Sequence, residues 1–181
     1  MVYVFLAEGF EEVEALTVVD VLRRADVETK TVAVSQLNEV WGAHDISVNA
    51  DITIAEADFR ICDMIVLPGG KLGTENLAEN NILCDELKRF NADGDYIAAI
   101  CAAPSLLGSL GILEGKRATV YPGMEDTLKG AFPMKNRVVV DGNVITSKGP
   151  GTAMDFAVEI VAILCGKEKA EELMQSLQMA R

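Results

Sequence analysis

Cys101 is the residue whose surroundings point most directly to chemistry. It lies in Ala98-Ala99-Ile100-Cys101-Ala102-Ala103-Pro104, where an apolar run passes through one cysteine into alanines and a proline that can open a helix. Small residues let the backbone bend sharply, so the segment predicts a nucleophile elbow. The thiol would project above the carboxyl end of a strand, and the N–H groups of the new helix would favour a thiolate. Free cysteine is also among the most buried residue types, and an inert core cysteine fits the same letters. The segment alone leaves both readings open.

Carboxylates are the second chemical feature. Ala7-Glu8-Gly9-Phe10-Glu11-Glu12-Val13-Glu14 brings several acids to one helix start. Acids in a first turn complement the helix dipole, so for Glu12 a structural role weighs as much as a functional one. Glu14 differs because it lies on the margin of the apolar stripe Ala15, Val18, Val19, Leu22. A position at a sheet edge would partly desolvate it, raise its pKa and let a protonated carboxyl donate to a thiolate.

Leu67-Pro68-Gly69-Gly70 follows an apolar run, and its two glycines free the backbone to present N–H groups to an anion or an oxyanion. An ordinary turn explains the same pair. Gly69-Gly70-Lys71-Leu72-Gly73-Thr74 lacks the spacing of both the Walker A loop and the dinucleotide fingerprint, so no nucleotide cofactor is expected. Gly149-Pro150-Gly151-Thr152 is a helix-entry turn that could also wall a pocket.

Cys62, Cys84 and Cys165 have no small-residue elbow and are read as structural, and no two cysteines have redox or zinc-knuckle spacing. His44 is the only histidine, which excludes a His-rich metal site. No metal is expected, and any Cys-His mechanism would have to use His44.

These residues need elements to position them. Short β-rich runs alternate with helical patterns: Tyr3–Leu6 before Val13–Ala25, Met64–Leu67 before Asn81–Phe90, Tyr96–Ile100 before Pro104–Leu110. Consecutive apolar positions in the second and third strands are expected of parallel strands covered on both faces. The prediction is an α/β fold, a three-layer sandwich with a mostly parallel sheet. Val40–Val48, around Gly42-Ala43-His44-Asp45, and Arg137–Thr146, around Asp141-Gly142-Asn143, read as hairpins added to the sheet's edge. Thr152 and Asp155 have capping-box spacing, Gly166 can close that helix in a left-handed conformation, and a last helix starts near Lys167.

With 181 residues, 50% of them apolar, the chain suits one domain over 1–181. A formal net charge of -12 repels phosphate backbones and anionic lipid, so neither nucleic acid nor a membrane surface is an expected partner. The start lacks a basic signal-peptide region, and the apolar stretch Ile97–Leu113 is interrupted by Pro104, Gly108 and Gly111. A cytoplasmic protein without a membrane segment is expected.

In this order, Glu11-Glu12-Val13-Glu14, Leu67-Pro68-Gly69-Gly70, Ala99-Ile100-Cys101-Ala102-Ala103-Pro104 and Thr146-Ser147-Lys148-Gly149-Pro150-Gly151-Thr152 resemble the ThiJ/PfpI superfamily across essentially the whole chain. Within it they resemble the DJ-one-type branch, whose bacterial members were once labelled thiazole-biosynthesis proteins.

The resemblance implies a flavodoxin-like sandwich, a homodimer, and a reactive Cys101 hydrogen-bonded to a protonated Glu14. It implies an oxyanion or substrate pocket with N–H groups from Gly70 and Ala102, a turn shaped by Gly69, and further lining from Glu11 and Tyr121. Gly149 and Pro150 would approach the partner's site across the dimer.

The implied activity is that of a glutathione-independent glyoxalase or a deglycase. Cys101 would add to an aldehyde such as methylglyoxal or to a glycated adduct, with Glu14 as proton carrier and no cofactor. The alternative is a redox-responsive chaperone or sensor in which Cys101 is oxidised. Tyr121, in Val120-Tyr121-Pro122, stands where many relatives have histidine, and a phenol is a poor base at neutral pH, which implies slow turnover. His44, in the early hairpin, is read as a surface or dimer-interface residue.

Overall fold

The computed structural model describes residues 1–179. Strand β1 (Val2–Leu6) leads into helix α1 (Glu12–Arg24) and β2 (Thr29–Ala33). The strands β3 (Glu39–Trp41) and β4 (Ser47–Asn49) come before β5 (Ile52–Thr53) and β6 (Met64–Leu67). Helices α2 (Lys71–Glu79) and α3 (Asn81–Asp93) precede β7 (Tyr96–Ile100) and α4 (Pro104–Ser109). After the short strands β8 (Arg117–Ala118) and β9 (Phe132–Pro133) come β10 (Val138–Asp141), β11 (Val144–Ser147), α5 (Ala153–Cys165) and α6 (Lys167–Ser176).

Seven strands form one sheet in the order β10-β11-β7-β6-β1-β2-β5, parallel except for the β10–β11 pair at one edge. Its central strands are unbroken apolar runs because helices cover both faces. Val2, Val4 and Leu6 face a core shared with α1, α5 and α6, whereas Tyr3, Phe5 and Ala7 face the core beneath α2, α3 and α4. The same period of two separates Met64 and Val66 from Ile65 and Leu67. Each large side chain fully buried in these layers contributes about 1.5–3 kcal/mol. The result is the expected three-layer α/β sandwich with a flavodoxin-like sheet.

Three local expectations are corrected. The Val40–Val48 hairpin does not extend the sheet: β3 and β4 form a separate two-stranded ribbon. Its backbone is engaged by the loop after β1, with Gly9 N–H donating to Trp41 O at 2.7 Å and Ala43 N–H to Phe10 O at 2.8 Å, and β5 takes the sheet edge beside β2 instead. The Thr152–Asp155 capping box does not form. Thr152 Oγ1 is drawn to Ser147 Oγ at 2.7 Å and Gly149 O at 2.9 Å, while Asp155 pairs with Arg137. Gly166 has φ 93 but ψ 159, so it turns the chain into α6 without a left-handed helical cap.

The chain leaves β1 towards one face and β6 towards the other, and a crevice opens at the carboxyl ends where such a sheet reverses its strand order. Three loops meet there: residues 7–11 after β1, Gly69–Gly70 after β6, and Cys101 after β7. They fit closely. Gly70 has φ +87, and a Cβ on it would stand 2.2 Å from Gly9 O. Gly70→Ala is therefore expected to lower stability by about 2–4 kcal/mol and the melting temperature by roughly 5–15 °C. Gly94→Ala, with φ +81 in open space, carries the backbone strain alone at about 1–2 kcal/mol. Equal melting temperatures for the two variants would contradict the close packing of the loops.

Candidate active site

β7 ends at Ile100, and the next residue makes the turn. Cys101 has φ +64, a strained conformation for a residue with a side chain, and two hydrogen bonds hold it there. Its N–H donates to Ser147 O at 3.0 Å, and its carbonyl accepts from Tyr121 N–H at 2.8 Å. Pro104 then starts α4 at the first helical position, where its missing N–H costs no hydrogen bond. The elbow read in the sequence is present. Cys62 and Cys84 are buried and Cys165 is exposed at the end of α5.

Glu14 approaches Cys101 from α1 and is 0% exposed. It lies at the carboxyl ends of the central strands rather than at a lateral edge of the sheet, so it is desolvated completely and not in part. Its Oε2 accepts from Gly69 N–H at 2.7 Å, its carboxyl lies close enough to the Cys101 side chain for the two to shift each other's ionisation, and the buried Oε1 has no hydrogen-bond partner among the described residues. Gly69 permits this contact: a Cβ there would stand 2.6 Å from Cys101 Cβ and 2.7 Å from Glu14 Oε2.

Burial raises the Glu14 carboxyl to about 7, against the lowering effect of the Gly69 and Cys101 hydrogen bonds. Burial likewise pushes the Cys101 thiol up to about 12, followed by the charge and hydrogen bond of an ionised Glu14, while N–H groups of Gly70 and Ala102 pull it down. The backbone N–H groups favour the thiolate as expected, but burial and an ionised Glu14 outweigh them. α4 has only six residues, and desolvation outweighs the N–H groups around the sulfur. Two of the three raising causes belong to the Glu14 carboxylate and vanish when the proton sits on Glu14. The ionisation of each group therefore depends on the other's.

Beside the sulfur opens a cavity of about 720 Å³, bordered by Glu11, Gly70, Cys101, Ala102, Tyr121 and Pro150 among others. Tyr121 is 48% exposed, and its ring lies 3.3 Å from where a Gly149 Cβ would be. Gly149 and Pro150 thus back and border this chain's own cavity. Glu14 does not border it. Thr74, whose buried hydroxyl has no partner among the described residues, does, a feature that sequence reasoning missed because α2 carries no motif at that position.

Glu12 and His44 lie behind Glu11. Glu12 is buried, and its Oε1 accepts from His44 N–H at 2.7 Å while Oε2 meets His44 Nδ1 at 2.8 Å. Burial pushes Glu12 up, but the His44 hydrogen bonds outweigh it and the net shift is downward. His44 is raised, first by the Glu12 hydrogen bond and then by the charges of Glu11 and Glu12. Glu11, Glu12 and His44 bring ligand atoms within 4.8 Å of one another, the one grouping among the described residues with the make-up of a metal site. In this chain the Nδ1 of His44 is engaged by Glu12. His44 is a surface residue in this chain, with its side chain 65% exposed.

The DJ-1/PfpI family profile matches residues 1–163. Protein dj-1beta of Drosophila melanogaster is 38% identical over 179 residues, 98% of this chain and 96% of that protein. A Caenorhabditis elegans protein named glutathione-independent glyoxalase DJR-1.2 is 34% identical over 175 residues, 96% of this chain and 93% of its own. The solved structure of oxidized Toxoplasma gondii DJ-1 superposes with a TM-score of 0.95 at 34% identity, covering 99% of this chain and 98% of that one.

Glu14 supplies a pH test of the buried pair. Its folded pKa, about 7, lies above the ordinary carboxylate value, so between about pH 4.5 and 7 the folded state holds a proton that the unfolded state has released. Stability is unaffected by this group below that window and declines as pH rises through it, by an amount on the order of 3 kcal/mol. Glu14→Gln, whose amide can still accept from Gly69 and donate to the sulfur, is expected to remove that decline. Denaturant unfolding at pH 5 and pH 8 checks it: wild type should lose stability relative to the variant at the higher pH, and parallel behaviour of the two would place that proton elsewhere.

Proposed function

The chain belongs to the DJ-1/PfpI family, and on that premise we propose that it is a cysteine-dependent enzyme acting on reactive aldehydes such as methylglyoxal, or on their adducts, as a glutathione-independent glyoxalase or deglycase. The single observation that carries the reading is the geometry around Cys101. A thiol on a strained elbow borders a cavity, with two backbone N–H groups aimed at it and a raised carboxyl behind it.

Glu14 is the proton carrier for the sulfur. It accepts the thiol proton as Cys101 adds to the aldehyde carbon and returns it when the carbon–sulfur bond breaks. The N–H groups of Gly70 and Ala102 are placed to hold the oxyanion that forms beside the sulfur. For methylglyoxal the hemithioacetal loses the proton on its aldehyde carbon and gains one on the neighbouring carbon. Water then releases lactate from the resulting thioester. The aldehyde carbon is oxidised and the ketone carbon reduced, so no external oxidant or cofactor enters. A cavity of about 720 Å³ falls within the size range of pockets for drug-sized ligands, which leaves room for a glycated adduct as well as a three-carbon aldehyde.

The chain acts as one domain and as a homodimer in the cytoplasm. Apolar Val13 and Leu16, exposed on α1, are available for a second copy, and among the described residues no helix is long and apolar enough to cross a membrane. The second reading, oxidation sensing, is favoured by Cys101 being the cysteine that borders the cavity.

Lactate formed from methylglyoxal without glutathione is the direct test. Wild type is expected to produce it, and Cys101→Ala to fall to the uncatalysed baseline with an unchanged circular dichroism spectrum. Lactate from the alanine variant at the wild-type rate would sink the enzyme reading. Absence of lactate from folded wild type, with Cys101 oxidised ahead of Cys62, Cys84 and Cys165 under mild peroxide by mass spectrometry, would transfer the assignment to the sensor.

A further inference from the structure

Glu14 can serve the sulfur but does not border the cavity, which leaves the carbon-bound proton of the substrate without a carrier. Glu11 borders that cavity together with Cys101 and Gly70. Its backbone is pinned to the glycine turn, Glu11 N–H donating to Gly69 O at 3.0 Å. Its carboxylate faces His44 Nδ1 at 3.8 Å, an ion-pair distance too long for a hydrogen bond, so its oxygens keep acceptor capacity for a ligand. His44 is in turn held by both oxygens of Glu12. That clamp requires Gly42, because a Cβ there would stand 2.2 Å from Glu12 Oε1.

We propose that Glu11 is a second catalytic carboxyl of the Cys101 site, carrying the proton between the two oxidised carbons of the bound aldehyde, and that His44, clamped by Glu12, is the positioning residue beside it. The inference rests on the thiol-addition reading above. After the sulfur–carbon bond has formed, Glu11 takes the proton from that carbon as an enediolate develops over the two oxygens. It then gives that proton to the neighbouring carbon as the thioester carbonyl forms, so its own charge is restored; the alkoxide left on that carbon takes a proton from water, and the hydroxide so formed cleaves the thioester. Glu14 keeps the sulfur's proton throughout.

Division between two carboxyls follows from access: one is sealed beneath the elbow, the other stands on the cavity wall. Glu11 is pushed up chiefly by burial and also by Glu12, and His44 opposes both. The charge of Glu11 also acts on Glu14 from α1, and the other charged or titratable groups bordering the same cavity are Cys101 at the elbow, Lys71 and Glu75 of α2, and Tyr121.

Lactate kinetics from methylglyoxal across pH, with wild type, Glu11→Gln, Glu11→Asp and His44→Gln, test the assignment. Glu11→Gln is expected to lower kcat about a hundredfold or more with KM changed only a few-fold. Its rate of Cys101 alkylation by iodoacetamide should stay close to wild type, because the sulfur keeps Glu14. Glu11→Asp, which retains a carboxyl, should recover part of kcat. Without the His44 cation, Glu11 holds its proton to higher pH, so the acid limb of kcat in His44→Gln should move upward. Undiminished kcat in folded Glu11→Gln, or an acid limb unmoved in His44→Gln, would overturn the proposal while leaving Cys101 chemistry in place. Absence of Cys101-dependent lactate from wild type would overturn both.

Discussion

A carboxyl group with no exposure to water governs the construction of this site. Glu14 belongs to α1, whose neighbouring residues Ala15, Val18 and Leu22 lie in the core, so the helix cannot pack without carrying the carboxyl inside. An ionised carboxylate there needs donors, and a neutral one needs an acceptor. The fold supplies the Gly69 N–H as a donor to Oε2 and sets the Cys101 thiol beside the carboxyl, where it too favours the ionised form. Neither partner could come so close if Gly69 carried a side chain. The glycine turn after β6, the helix after β1 and the elbow after β7 are thus fitted to one another around a single carboxyl.

Backbone strain at Cys101 belongs to the same arrangement. A left-handed conformation at a non-glycine residue persists only where its surroundings over-determine it, and here both peptide groups of Cys101 are tied, one to the last residue of β11 and one to the Tyr121 backbone. Ser147 ends β11, the strand beside β7, and Tyr121 begins the cavity's far wall. The strand pairing that builds the sheet therefore also sets the direction of the sulfur. A site of this kind is made by elements drawn from most of the chain, which is why its parts are scattered between residues 11 and 150.

Those parts differ in how far the sequence discloses them. Strands buried on both faces advertise themselves as apolar runs, and Met64–Leu67 and Tyr96–Ile100 are legible to the residue. The elbow is legible because small residues flanking a cysteine before a proline have a steric reason to be there. Less legible is anything set by competition between distant partners. Thr152 has the letters of a helix cap, yet Ser147 and Gly149 are nearer claimants for its hydroxyl. The hairpin near His44 has alternating strand letters that do not say which edge it will pair with. The raised thiol of Cys101 could not be read at all, since burial and a carboxylate on another helix set it.

The detached ribbon has the widest consequence for the site. Had β3 and β4 extended the sheet, His44 would stand away from α1. Docked on the loop after β1 instead, the ribbon brings the chain's one histidine against Glu12 and within 3.8 Å of Glu11. The cavity then has an imidazole at its back without having one in its wall, where Tyr121 occupies the position facing Gly149. An imidazole outside the wall cannot take a proton from a substrate carbon, but its charge acts through a carboxylate that can. The acidic loop and the ribbon depend on each other for this: Glu12 spends its own hydrogen-bonding capacity on holding His44, and the ionisation of Glu11 answers to the group so held.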